Sequence, residues 1–291
     1  MQGLRIAPQG FAVGFFDNVV AFSEFNRLHA WPTNYQIALD WPVVAVEVID
    51  AGVVVATEGQ PYLLQGVDPR SMTPRQLWLE EACVSKESMV SLGYGAMYAS
   101  VNGLVMVSNN GAELITQAIV TEKEWAEFQP ETIHANGLNG QYVAFYGTSS
   151  DGKGLVFDPR EPNRGFVDLG FWCVATYQDA TKPLLYLLMD DDTIMRWDAG
   201  ASSPYRWRSK RFTTPYPVNL GAAKITADGE PITFRLISDG QVLYERTDAP
   251  ANEPFPLPSG YTQREYQFEV ESTEVIQRVQ VAESMQELDV G

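Results

Sequence analysis

Apolar residues along this chain come in short bursts broken by Gly, Asn, Asp and Pro. That is the rhythm of β-strands joined by tight turns rather than of amphipathic helices. Residues 10–21 read Gly-Phe-Ala-Val-Gly-Phe-Phe-Asp-Asn-Val-Val-Ala, two β-rich runs about an Asp-Asn turn. Residues 43–57 repeat the form around Ile49-Asp50-Ala51-Gly52, and residues 88–107 around Gly93-Tyr94-Gly95 and Asn102-Gly103. Residues 133–145 turn at Leu138-Asn139-Gly140, and residues 173–188 near Asp179 to Lys182. Third strands are expected at 60–66, 104–108, 154–158 and 193–198. The second-strand centres, near Val54, Met97, Ala144 and Tyr186, recur about every 40 residues, the length of a four-stranded propeller blade. A strand–turn–strand unit cannot bury both its faces alone, so such units must stack on one another.

The expected fold class is therefore all-β: a β-propeller-like domain of about five blades, complete or incomplete, over residues 1–217, then a small antiparallel β-sandwich over residues 218–291. In the second part, strands are expected at 222–227, 232–238, 241–246, 265–272 and 276–282, with Asp239-Gly240 as a hairpin turn. Pro254, Pro256 and Pro258 make residues 250–258 an extended loop. Two short helical pieces interrupt the β pattern. One is 121–128, where Thr121 with Glu124 forms a capping box, and the other is a turn starting at Thr73-Pro74. Residues 284–291 read as a frayed tail.

Charge changes the picture next. The chain carries 37 Asp+Glu against 20 Lys+Arg, a formal charge of −17. That balance argues against gripping nucleic acid through its phosphates and against an anionic membrane surface. Cys83 and Cys173 are the only cysteines, each between apolar neighbours, and read as buried reduced thiols. With only His29 and His134 besides, no zinc-ligand spacing exists. Met1 to Ile6 does not read as a secretion signal, and no apolar run approaches the ~18 residues of a membrane span.

Candidate chemistry is sparse. No nucleophile elbow, P-loop, dinucleotide fingerprint or zincin helix motif occurs. His29 and His134 lack a neighbouring Ser or Cys nucleophile in sequence and are expected to be structural. Asp190-Asp191-Asp192 lacks calcium-loop spacing and reads as a solvated turn. Ser149-Ser150-Asp151-Gly152-Lys153 approaches the Asp-box of sialidase propellers, but Lys153 stands where that motif requires glycine. The expectation is a non-enzyme with no catalytic, cofactor-binding or metal-binding residues. The clearest departure from the acidic background is Arg206-Trp207-Arg208-Ser209-Lys210-Arg211. On a regular strand, Arg206, Arg208 and Lys210 would line one face and Trp207, Ser209 and Arg211 the other. In so acidic a chain these cations should meet carboxylates of their own or a neighbouring subunit. Arg206, Arg208, Lys210 and Arg211 are thus the candidate subunit or partner interface.

Several segments carry a resemblance. They are Phe22-Ser23-Glu24, His29-Ala30-Trp31-Pro32, Thr57-Glu58-Gly59-Gln60-Pro61-Tyr62, Gly66-Val67-Asp68-Pro69, Ala82-Cys83-Val84-Ser85-Lys86, Tyr98-Ala99-Ser100, Asn102-Gly103-Leu104 and Tyr205 through Phe212. Over about residues 3–217 the chain resembles tail proteins of tailed bacteriophages and prophages, in particular the nozzle (tail tubular) proteins of short-tailed phages. The resemblance implies a β-propeller structural protein of the virion tail, made in the host cytoplasm and assembled as a hexameric ring of copies of itself. Its partners would be portal and adaptor proteins and tail fibres or spikes, with DNA passing through unbound, no cofactor and no membrane anchor. Family members carry additional sequence ahead of the position of Leu4, so a shortened version with an incomplete propeller is expected. An alternative reading is a carbohydrate-binding or carbohydrate-cleaving propeller for host attachment, using some of the 7 Trp and 13 Tyr for stacking on sugars. A scaffold propeller of the WD-repeat kind would need repeated Trp-Asp endings, and only Arg196-Trp197-Asp198 supplies one.

Overall fold

The computed structural model describes residues 1–179 and 181–288. The chain divides into two compact units, residues 1–198 and residues 199–291.

The first unit consists of five antiparallel sheets taken strictly in chain order. Blade 1 holds β1 (Gln2–Ile6), β2 (Ala12–Phe16), β3 (Val19–Phe22) and β4 (Gln36–Ala38). Blade 2 holds β5 (Val43–Ile49), β6 (Gly52–Thr57), β7 (Tyr62–Gln65) and β8 (Thr73–Gln76). Blade 3 holds β9 (Val90–Ser91), β10 (Gly95–Ala99), β11 (Leu104–Ser108) and β12 (Gly111–Leu114). Blade 4 holds β13 (His134–Leu138), β14 (Gln141–Tyr146), β15 (Lys153–Phe157) and β16 (Phe166–Leu169). Blade 5 has three strands, β17 (Ala175–Gln178), β18 (Leu185–Leu188) and β19 (Ile194–Arg196). This is a propeller-like meander of five blades, and the hairpins fall where the turn residues put them. Asn139 and Gly140, for example, both take positive φ (52° and 80°) between β13 and β14, the backbone that a two-residue hairpin matching strand twist requires.

Side-chain alternation explains why the blades stack. On β6, Val53 and Val55 enter a core shared with blade 1, while Val54 and Ala56 enter one shared with blade 3. On β11, Val105 and Val107 face blade 2, and Leu104 and Met106 face blade 4. On β14, Tyr142 and Ala144 face blade 3, and Val143 and Phe145 face blade 5. Each middle blade is thus apolar on both faces, and each fully buried Val, Leu or Phe contributes about 1.5–3 kcal/mol of transfer free energy. Four such cores join consecutive blades among the described residues, and none joins blade 5 to blade 1.

Two turns repeat a device. After the third strand of blade 2, Asp68 accepts the Arg70 N–H at 2.9 Å and the Arg70 guanidinium at 2.7 Å. After the third strand of blade 4, Asp158 does the same for Arg160 at 3.0 and 2.6 Å. Asp-Pro-Arg occurs at both places, two blades apart. The guanidinium hydrogen bonds hold both carboxyls below the usual range, Asp158 down to about 2.

Helix α1 (Glu122–Ala126) lies between blades 3 and 4 and carries the expected capping box: the Thr121 N–H donates to the Glu124 carboxylate at 2.9 Å, and the Glu124 N–H donates to Thr121 Oγ1 at 3.3 Å. It exists to deliver Trp125. That ring is fully buried against Phe128 and Phe166, and its indole N–H donates to the Ser100 carbonyl at 2.9 Å. The helical turn expected at Thr73-Pro74 is instead the outer strand β8. The turn sits earlier, at Pro69–Ser71, because Asp68 caps it and Pro69 opens it. At the sheet's edge, Pro74 loses no ladder bond.

The second unit is the small sandwich. Its larger sheet pairs β26 (Gln263–Ser272) with β23 (Ile232–Ser238), which pairs β24 (Gln241–Arg246). On the other flank of β26 lie β20 (Tyr205–Arg208) and β21 (Phe212–Val218) in succession. The smaller sheet runs β25 (Pro254–Pro256), β22 (Ala222–Ala227), β27 (Ile276–Ala282). Between them are packed Ile225, Phe234, Leu236, Phe255, Tyr266, Phe268 and Val270. The boundary expected after residue 217 therefore moves to 198/199, because β20 and β21 are hydrogen-bonded to β26 and belong to the sandwich. Within the Pro-rich loop, β25 pairs with β22. The expected frayed tail holds α2 (Met285–Leu288) with Leu288 buried, while residues 289–291 lie outside the described residues, as does Ala180 in the turn expected at 179–182.

Removing the buried indole tests the blade-3/blade-4 core. Trp125→Ala should lower stability by about 3–5 kcal/mol in chemical denaturation of the first unit. Trp78→Ala, at a ring 85% exposed, should change it by less than about 0.5 kcal/mol.

Candidate functional site

The innermost strand of every blade contributes to one axial cavity of about 650 Å³, reached by Arg5 of β1, Glu47 of β5, Ser91 of β9, His134 and Asn136 of β13, and Thr176 and Gln178 of β17. Glu87, in the turn before β9, also lines it. Polar bonds tie the blades together around this axis. Arg5 Nε donates to Glu47 Oε2 at 2.6 Å between blades 1 and 2, and Ser91 Oγ donates to the Val48 carbonyl at 2.7 Å between blades 3 and 2. Asn136 Nδ2 donates to Thr176 Oγ1 at 2.7 Å between blades 4 and 5. Farther out, the buried Tyr142 hydroxyl of blade 4 donates to the Ser88 carbonyl at 2.7 Å. With Arg5 paired to Glu47, the charge left over among these lining groups is the carboxylate of Glu87.

His134 is the histidine of this cavity. It stacks on Phe145 at 5.7 Å, meets Trp172 edge-on at 6.3 Å, and has Nε2 3.7 Å from Cys173 Sγ. Burial lowers its pKa, so the imidazole is neutral near pH 7. Burial pushes the Cys173 thiol up to about 12. A neutral imidazole beside a protonated thiol is a packed pair, not the thiolate–imidazolium pair of a nucleophilic site. Cys83 is likewise buried and pushed up to about 12. His29 lies exposed in the loop after β3, in a different blade. Asp190 to Asp192 form an exposed turn between β18 and β19, in which Asp191 accepts the Thr193 N–H at 3.0 Å. Asp151 accepts the Thr148 N–H and hydroxyl at 3.0 and 2.7 Å, closing a local turn. Among the described residues, no group of three or more His, Cys, Asp or Glu could hold a metal ion.

The cationic run finds its counter-charges in its own sheet. Registers align Arg208 of β20 with Glu269 of β26, Glu269 with Arg235 of β23, and Arg235 with Glu245 of β24. The result is a row of alternating sign across four strands. Arg208 Nη2 lies 2.7 Å from Glu269 Oε2, Arg235 Nη1 lies 2.9 Å from Glu269 Oε1, and Arg235 Nε lies 2.8 Å from Glu245. Arg206 reaches Glu271 at 3.5 Å, and Arg211 reaches Glu265 at 3.3 Å. Glu269 is 2% exposed. Burial pushes its carboxyl up, and the Arg208 and Arg235 hydrogen bonds outweigh that and hold it below the usual range.

The predicted facing of this run needs one correction. Lys210 does not join Arg206 and Arg208. The strand breaks at Ser209, whose N–H donates to the Phe268 carbonyl and whose Oγ accepts the Phe268 N–H. Four steps from Arg208 to Phe212 then oppose only three from Glu269 to Tyr266, so one residue is bulged and the alternation inverts. Arg211 joins the carboxylate face, and Lys210 Nζ lies 5.5 Å from the Phe212 ring centroid. The acidic partners had a legible signal in Glu265, Glu269 and Glu271, at alternate positions of one strand. The axial set of Arg5, Glu47, Glu87 and Asn136 had none, because its members are isolated polar residues on three separate strands and one turn.

Glu269→Gln should cost about 2 kcal/mol at pH 7 by leaving Arg208 without its anion and taking one of three carboxylates from Arg235. Because the folded carboxyl titrates below its unfolded value of 4.5, the folded state binds fewer protons in that interval. Wild-type stability should therefore be full above the unfolded value and fall as pH drops from about 5 to 3, with a shallower fall in Glu269→Gln, measured by urea unfolding across that range.

No protein-family model matches this chain, and no curated protein sequence does. Two solved structures of AztD from Citrobacter koseri, one of them the apo form, are similar in backbone at 16% and 15% identity, covering 67% and 68% of this chain, with TM-scores of 0.46 and 0.45. PorZ, a bacterial surface component of the type-IX secretion system of Porphyromonas gingivalis, is similar at 10% identity over 64% of this chain, with a TM-score of 0.37. The chain covers about half the length of the AztD chains (55% and 54%) and 24% of PorZ.

Proposed function

We propose that this chain is a non-enzymatic structural protein of a phage tail, of the nozzle kind, which packs against copies of itself and neighbouring tail proteins. The observation that carries this reading is the pair of outer blade faces. On blade 1, Ile6 lies opposite Ala12 on the face turned from blade 2 and is 67% exposed, with Leu4 58% exposed on the same strand. On blade 5, Leu185 and Leu187 face blade 4, which turns the Tyr177–Tyr186 and Leu188–Ile194 pairs outward. Tyr177 is 64% and Ile194 70% exposed. Middle blades cover such faces with a neighbouring blade, so the outer faces suit contact with another sheet.

The conduit in this reading lies between copies, not along the propeller axis. A cavity of about 650 Å³ is on the scale of small-molecule pockets, roughly 300–1,000 Å³. It is far too small for a duplex whose major groove alone is about 12 Å wide. A wall of chains each carrying −17 repels phosphate and so lets DNA slide without adhesion. Arg206, Arg208 and Arg211, already neutralised within their own sheet, and Lys210 enter the proposal at the rim of a contact between copies.

Two measurements test it. Light scattering of the purified chain should give a mass above the monomer, and Ile6→Asp or Ile194→Asp should weaken that association by tenfold or more, about 1.4 kcal/mol. Gold-labelled antibodies to the chain should decorate the tails of virions released from the source host. Labelling confined to host cells would overturn the tail assignment, and a monomer at every concentration would overturn self-assembly.

A further inference from the structure

The sandwich is one strand short. Its larger sheet is four strands wide, with β20 and β21 sharing one flank of β26, and the facing sheet is three wide. Registration is anchored at the far side, where Phe255 of β25 meets Phe234 edge-on at 5.5 Å and the Arg246 guanidinium lies 5.1 Å from the Phe255 ring. At the near side, the Ile276 N–H donates to the Tyr205 hydroxyl at 3.2 Å and that hydroxyl donates to the Glu274 carbonyl at 2.9 Å, so β27 starts beside β20. Beyond β27 the core-side residues Trp207 of β20 and Phe212 of β21 stay exposed, while Val218 at the far end of β21 is buried in the core. Trp207 (47% exposed) and Phe212 (40%) stand on the core side of their sheet, flanking Phe268 at 5.8 and 5.5 Å. Among the described residues, β27 has β22 on one flank and no strand on the other, an edge open beyond Ile276. Proteins usually shorten, bulge or cover such an edge.

We propose that this edge takes up one extended segment of a partner protein, apolar at alternate positions and acidic at the positions between. An open strand edge presents backbone N–H and C=O groups, which only another extended backbone satisfies along its length. Side chains of the added strand on the core side would close over Trp207, Phe268 and Phe212. Those on the other side would stand beside Arg278 of β27, whose register partner Thr226 marks the outer face. Lys210, over Phe212, stands at the mouth of the aromatic strip. Lys210 and Arg278 have no carboxylate partner among the described residues, nor do Lys224 of β22 and Arg264 of β26, whereas Arg206, Arg208, Arg211, Arg235 and Arg246 do. In a chain of net charge −17, two unmatched cations around one apolar strip select an acidic segment. This surface is separate from the blade faces and does not depend on the tail assignment.

Hydrogen exchange of the full chain, with and without a synthetic peptide of about seven residues alternating valine and glutamate, tests this. At about ten times the peptide's Kd, the β27 amides should exchange about tenfold more slowly. Trp207 fluorescence should shift to the blue. A peptide with lysine for glutamate should bind at least tenfold more weakly, and one N-methylated at alternate residues should give no protection. Trp207→Ser should weaken binding about tenfold or more. Arg278→Glu, on the outer face, is a second variant that leaves the core untouched and should reverse the preference between the two charged peptides. No protection at about 1 mM peptide, equal binding of the lysine peptide, or protection by the N-methylated one would each overturn the proposal. So would self-association of the chain that is lost in Trp207→Ser, which would give the groove to a second copy.

Discussion

A β-strand sends successive side chains to opposite faces, and here the middle strands are apolar on both. A sheet of that kind has no face to give to water. It is stable only between two others, and everything else in the first unit follows from that demand. Trp125 plugs the gap where blades 3 and 4 diverge, and the hydrogen bonds from Ser91, Asn136 and Tyr142 satisfy polar groups where blades meet. The Asp-Pro-Arg turns draw no strand residue from the cores, and the first buries its own Pro69. They pin two outer connections with local charge-assisted bonds, leaving the strands free to serve the stack.

The two units solve the problem of charge differently. In the propeller the ion pairs are local or span one blade boundary, as in Asp158–Arg160 and Arg5–Glu47. In the sandwich they form a row whose central ions are shared: Glu269 answers both Arg208 and Arg235, and Arg235 answers Glu245, Glu269 and Glu271. Sharing lowers the entropic cost per contact, since a side chain already held by one partner loses little more on meeting a second. It also makes Glu269 the residue on which the row depends, being the most deeply buried of its ions.

Hairpins were the most legible part of this chain, because turn chemistry is local. Asp17-Asn18, Asn139-Gly140 and Asp239-Gly240 each mark a turn between paired strands, and the strands flanking them fall within a residue or two of their expected places. What was illegible is whatever depends on distant pairing. The strand Gln2–Ile6 lacks a strong apolar run and pairs only with β2, and β20 belongs to the second unit only because β26, more than 50 residues later in the chain, lies beside it. The facing of Lys210 departs from strict alternation for a related reason: a single bulged residue, set by Ser209 bonding to Phe268, inverts a two-residue period. The axial cavity had no sequence signature, since it gathers residues from five strands far apart in the chain and from the turn holding Glu87.

That the five blades follow chain order, with no strand of blade 1 inserted into blade 5, has a mechanical consequence. Propellers whose first and last blades share a sheet are clasped rings, and widening one means tearing a ladder of backbone hydrogen bonds. Among the described residues this one has four packed junctions and no core between its first and last blades, so those two blades can move apart without breaking any strand pairing or parting any core.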